Sequence, residues 1–198
     1  MVFIDYVALM LVNLVIALVL LAVYVAFLID SDPKRIAPGF LLTGFIAIVT
    51  GFAMNFTWPL PGSANIVFGE PSVLLGGILF FAGLAIVYEW DLLSIGIAGV
   101  LASIVAIILG IRLLGSVPQT QSPLLAGLGF IFVGIGGILT LPTYFLKKSI
   151  PMRAITAIVI LIAALIWAIT AYGAYWEHPA AFGKWLPTIH QMIGGAGK

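Results

Sequence analysis

The chain has 198 residues, 63% of them hydrophobic and 8% charged, with a formal net charge of +1 and a mean hydropathy of +1.27. Soluble domains carry about 25% charged residues, so there are too few charges here to coat a water-facing surface, and lipid is the expected solvent. The charge balance leaves no basic footprint for nucleic acid, and the lack of cysteine excludes disulfides, thiolate metal sites and covalent haem attachment.

A helix crossing a bilayer needs about 20 predominantly apolar residues. Six segments qualify: 6–29, 38–56, 72–88, 92–114, 123–146 and 154–176. The expected fold is therefore all-α, one transmembrane domain built as a six-helix bundle. The first run has no Lys or Arg before it and is about twice the length of a signal-peptide core, so it is expected to remain as a span. A charged loop from Asp30 to Arg35 ends it.

The second span runs into the block 57–71, TWPLPGSANIVFGEP, which carries prolines and glycines but no Lys or Arg. Irregular backbone cannot be hydrated inside hydrocarbon, so the block is expected as a structured loop on the outer face. Glu89-Trp90-Asp91 alone separates the third and fourth spans, which predicts a tight antiparallel hairpin. Beyond the sixth span, the tail 177–198 is broken by Pro179 and Pro187. With Tyr172, Tyr175, Trp176, Phe182 and Trp185 forming an aromatic belt, it is expected to lie along the outer interface.

Lys and Arg accumulate on the cytoplasmic side of a membrane. The clusters Lys34-Arg35 and Lys147-Lys148 with Arg153 share one side if both termini are outside. This predicts a multi-pass protein of the cytoplasmic membrane with external termini. A faint repeat at an offset of 83 carries Gly44, Ile48, Gly51, Thr57 and Pro59 onto Gly127, Ile131, Gly134, Thr140 and Pro142. Three spans per unit would make the two halves inverted, as in many transporters.

The candidate site residues are few. Glu70 and Arg112 lie nearly equally far from the turn at Trp90, so antiparallel helices return them to one membrane level. They are expected to pair there, either as an anchor for a polar or anionic ligand or as a salt bridge fastening the loop. Asn55, Trp58 and Asn65 complete that polar cluster. Glu89 and Asp91 form an inner carboxylate pair in a turn at the water boundary. Glu177, His178 and His190 are the candidates for a metal or haem, although no ligand-spacing motif supports them.

Small residues are abundant. Gly127, Gly129, Gly134, Gly136 and Gly137 smooth the fifth helix, and Gly99 with Ser103 makes a small-xxx-small pair, both of which allow close helix approach. Asn13 is expected to bond to a neighbouring helix. No span carries two ionisable residues for a proton relay, and no HExxH, GxSxG, P-loop or dinucleotide motif is present.

The run Trp58-Pro-Leu-Pro-Gly-Ser63, followed by Asn65 and Phe68-Gly-Glu-Pro71, resembles an uncharacterised family of small multi-pass membrane proteins, domain of unknown function 981. The resemblance implies about six helices in a cytoplasmic membrane and brings no activity, cofactor or catalytic residue.

Three functional readings stand at this point. The first is a non-catalytic structural or accessory subunit of a larger membrane assembly, in contact with lipid and with other subunits or further copies of itself. The second is a small transporter or channel with a polar site at Glu70 and Arg112. The third is a haem- or metal-binding protein using His178 and Glu177. No cofactor is expected under the first two.

Overall fold

A computed structural model of the chain describes residues 5–60, 62–115 and 122–180. Six helices fill it: α1 (Tyr6–Val23), α2 (Ala37–Thr57), α3 (Ala64–Tyr88), α4 (Leu93–Leu114), α5 (Pro123–Phe145) and α6 (Ile150–Ala180). All six are long and apolar enough to cross a membrane, and the described residues contain no strand. The Asp5 side chain caps α1 by accepting from the Ala8 N–H, Asp91 accepts from Leu93 at the start of α4, and Pro123 occupies the first turn of α5.

The helices form a ring in chain order, each packed against its two neighbours, with α6 returning to α1. Asp5 at the start of α1 touches His178 near the end of α6, so these two points share one end of the bundle. The opposite end holds the turns at 29–36, 89–92 and 146–149 and the side chains of Lys34, Arg35, Lys147 and Lys148.

Four of the six seams are close: α2 with α3, α4 with α5, α1 with α6, and α5 with α6, where Gly129 and Gly136 lie against Trp167 and Ile160. Their cause is a spacing of seven. Gly44 and Gly51 on α2 face Gly76 and Gly69 on α3; an added Cβ at Gly44, Gly51 or Gly76 would sit 2.5–3.0 Å from the partner's backbone, and one at Gly69 would strike the Asn55 side chain. On α4 and α5, Gly110 faces Gly127 and Ser103 faces Gly134 in the same way. Ala8, Val15 and Ala22 on α1 and Ala157, Ala164 and Ala171 on α6 repeat the spacing, all buried. In lipid there is little hydrophobic drive between apolar helices, so close approach of small residues sets which surfaces adhere. The bundle is thus the close pair α2–α3 and the close run α4–α5–α6–α1 around a centre, and α3 touches α4 only lightly.

Several expectations meet corrections here. Helix α3 begins at Ala64 and takes in half of the block expected as a loop, leaving 58–63 as the connection. Pro71 lies inside α3; a span tolerates the lost hydrogen bond because neighbouring helices hold it in place. Helix α6 runs unbroken through Glu177 and His178 to Ala180, and the rest of the tail, with His190, lies outside the described residues. At the offset of 83, Gly44 and Gly51 face α3, whereas Gly127 and Gly134 face α4 and it is Gly129 and Gly136 that face α6.

Candidate functional site

The ring of helices leaves its middle unfilled. The central space is a cavity of about 200 Å³ lined by residues from all six helices. Its walls are aliphatic and aromatic, and none of the described lining residues is Asp, Glu, Lys, Arg or His. Phe68, Phe130 and Trp167 line it toward the end that carries Asp5. The Phe130 and Trp167 rings meet edge to face at 5.2 Å, and Phe68 lies 6.0 Å from Phe130. Tyr24 and Tyr144 line it near the basic end, where the Tyr144 hydroxyl donates to Asp91 at 2.9 Å.

Polar groups in the wall are mostly self-satisfied. The Ser103 hydroxyl donates to the Gly99 carbonyl at 2.7 Å and that of Thr140 to the Gly137 carbonyl at 2.6 Å, the local back-bonding usual for hydroxyls in helices. Two atoms are different. Asn13 donates from Nδ2 to the Thr43 carbonyl at 2.9 Å, but its Oδ1 is buried without a partner, and so is Nε1 of Trp167. Asn13 is 5% exposed and Trp167 1%. A buried polar atom without a partner costs about 1–3 kcal/mol; both atoms are closed off from the cavity itself, Nε1 lying against Gly129 of α5.

The cavity has a side opening. Leu74 on α3 lines it and is 45% exposed, and Ile95, Gly99 and Ala102 on α4 line it while only half-buried. These residues flank the seam where α3 and α4 make little contact. One opening of the cavity therefore lies at the α3–α4 seam; Tyr144, also in its wall, is half-buried at the basic end.

The residues singled out by sequence separate into three groups. Glu70 and Arg112 are both exposed and are not among the ion pairs of the described residues, which are Lys34–Glu89, Arg35–Asp32 and His178–Asp5. A short turn does not force α3 and α4 to pack: their small-residue faces turn away from each other, toward α2 and α5, so two charges at equal depth point apart. Asn65 is fully buried and holds the 58–63 connection, accepting from the Leu60 N–H at 3.0 Å and donating to the carbonyls of Leu60 and Gly62. Asn55 lies against Gly69 at the same end, and Trp58 ends α2 in a left-handed conformation.

Glu89 and Asp91 are fasteners at the basic end. Lys34 reaches Glu89 at 2.6 Å and holds its carboxyl below the usual range. The Leu93 N–H, and then the Tyr144 hydroxyl, do the same for Asp91. Glu177 is exposed, and no three metal-binding side chains cluster among the described residues. Arg153 sends Nε to the Val25 carbonyl at 3.1 Å and Nη2 to that of Ala26, closing the wide π turn Tyr24–Leu28 at the end of α1. Sequence reasoning passed over Trp167. Its signal was position: a tryptophan deep in an aliphatic run, away from the interface where such rings usually anchor.

The model of the family described as "Protein of unknown function (DUF981)" matches residues 1–181, and the chain belongs to that family. Neither a curated protein nor a solved structure matches it.

Proposed function

We propose that this chain is a non-catalytic membrane protein that admits an apolar chain from the bilayer into its central cavity through the gap between α3 and α4. The observation that carries this reading is the cavity itself, about 200 Å³ of apolar space that touches every helix and is flanked at its open side by the partly exposed Leu74 and Gly99. An apolar cavity of this size favours an apolar occupant over water. The wall offers no charged side chain and no nucleophile with a base beside it, which supports binding rather than reaction. In this reading the end carrying Lys34, Arg35, Lys147 and Lys148 faces the cytoplasm.

The other readings have less behind them. An accessory-subunit role draws support only from the apolar outer faces, which lipid covers equally well. A polar transport site at Glu70 and Arg112 lacks the pairing it needs, and His178 is engaged by Asp5.

The test uses Gly99→Phe. A Cβ at Gly99 has nothing within 4 Å, so the ring can stand in the opening without disturbing the fold. Native mass spectrometry of the mildly extracted protein should show bound acyl or isoprenoid chains on the wild type and few or none on the variant. Equal occupancy in the two, or none in either, refutes the reading.

A further inference from the structure

We infer that the chain forms a dimer through the outer faces of α3 and α4, with Glu70 of each copy bound to Arg112 of the partner subunit. The inference is independent of the cavity reading above and concerns the surface rather than the interior.

Both side chains are exposed, and neither has an ion pair or a side-chain hydrogen bond among the described residues. Glu70 shares one face of α3 with Ile66, Leu74 and Phe81, all exposed and spaced as a helical stripe. Arg112 shares one face of α4 with Leu101, Val105 and Ile108 in the same way. These two spans are also the least covered by the rest of the bundle: α4 is 17% buried and α3 28%, against 33% or more in the other four. The barest face of the molecule thus carries two unanswered charges of opposite sign.

Depth makes the two complementary. Helices α3 and α4 leave a common turn at the basic end, and at about 1.5 Å per residue Glu70 stands roughly 27 Å from it and Arg112 roughly 29 Å. Hydrocarbon is about 30 Å thick, so both lie near its outer edge, where a charge is incompletely hydrated and is usually paired. Within one copy they look outward from helices that pack only lightly. A two-fold axis along the membrane normal keeps depth and exchanges sides. It sets α3 against α4 of the second copy, so Glu70 meets Arg112 of the partner subunit at its own level. The same contact is then made twice, as a self-complementary interface requires.

Other occupants answer less. A partner with one charge satisfies one of the two residues and leaves the other bare. A zwitterionic head group has both signs but would have to bridge two helices that scarcely touch. The side opening is also kept: Ile95, Gly99 and Ala102 lie in the half of α4 nearer the basic end, so copies that cross at their outer ends leave it facing lipid.

The chain has no cysteine, so donor and acceptor dyes can be carried on Ser31→Cys, in the exposed turn at the basic end. Energy transfer between full-length copies in phosphatidylcholine vesicles, followed as lipid is added, gives a dimer dissociation constant. The unaltered charges should give a dimer. Glu70→Arg or Arg112→Glu alone should weaken it roughly a hundredfold, because each puts like charges together at both contacts. Donor-labelled Glu70→Arg mixed with acceptor-labelled Arg112→Glu should associate as strongly as the original, since opposite charges again face each other twice. That rescue cannot come from a misfolded chain or from a pair formed inside one copy. The inference is overturned if the original stays monomeric at every dilution, or if either single variant associates undiminished. It is overturned equally if the mixture stays apart, which would mean that the charges hold a lipid head group or a different subunit.

Discussion

Helix α3 has two chain neighbours, and it treats them differently. Against α2 it packs so closely that Gly76 has room for no side chain at all, while against α4, joined to it by the shorter turn, it barely packs. Connection length does not explain this. Small residues every seventh position do, because they place backbone against backbone along the whole seam. The glycines of α3 turn to α2 and the small residues of α4 turn to α5, so the α3–α4 seam receives larger side chains and stays ajar. The same division closes the seams on either side and leaves one gap, beside which Leu74, Ile95, Gly99 and Ala102 line the cavity.

The comparison is broken most sharply inside α3 itself. Gly76 and Gly77 are adjacent, yet a Cβ at Gly76 would meet the Ile48 nitrogen at 2.7 Å and the Gly44 carbonyl at 2.8 Å, whereas one at Gly77 would meet nothing within 4 Å. Backbone cannot step aside as a side chain can. Gly76→Ala is therefore expected to cost about 3 kcal/mol in a reversible detergent-unfolding titration, the upper range for overpacking. Gly77→Ala should be neutral or gain up to about 1 kcal/mol from helix propensity. Similar losses at both positions would mean that the ladder does not hold the pair together.

Arg153 tests the α1–α6 pair, which uses alanine where the others use glycine and so packs less closely. Its guanidinium closes the carbonyls of Val25 and Ala26 across the α1–α6 seam. Hydrogen bonds to a charged donor contribute about 1.5–3 kcal/mol, so Arg153→Gln should lose about 2 kcal/mol in the same titration. A loss below about 0.5 kcal/mol would show that the alanine ladder suffices by itself. Asn65→Ala comes next, at about 1–2 kcal/mol, because it unfastens the 58–63 connection without touching the glycines.

Much of this was legible in the sequence, and the remainder had physical reasons to be hidden. The six spans follow from length and hydropathy alone, since lipid leaves helices as the only answer for such runs. The small residues were visible too, but the pair Gly99 and Ser103 drew attention to a spacing of four. The operative spacing is seven, linking Gly96, Ser103 and Gly110, and Gly99 stands at the opening instead. Pro71 and Gly62 made the block around them look like a loop, while the buried Asn65 was already organising a helix start. For Glu70 and Arg112 counting along the helices addresses depth alone, and the face each presents follows from which neighbour its helix adheres to. The cavity could not be read at all: it belongs to the closed ring, to which each helix contributes only a few lining residues.

The smallest effect belongs to the Lys34–Glu89 tie, which joins the α1–α2 turn to the end of α3 in full exposure to solvent. Hydrogen bonding to Lys34 lowers the Glu89 carboxyl below its ordinary 4.5, so its stabilisation is complete above that value and fades as pH falls through the lowered one. Lys34 is raised above its ordinary 10.5 by the same hydrogen bond, so its share is complete below that value and fades as pH rises through the raised one. Lys34→Ala should therefore cost a little thermal stability across the middle of the pH range and nothing at either extreme, with the difference shrinking in concentrated salt. A loss that stays constant with pH would show that Lys34 acts through packing instead. The variant should also leave chain uptake through the α3–α4 gap unchanged, because that gap is flanked by Leu74, Ile95, Gly99 and Ala102 and depends on no charge.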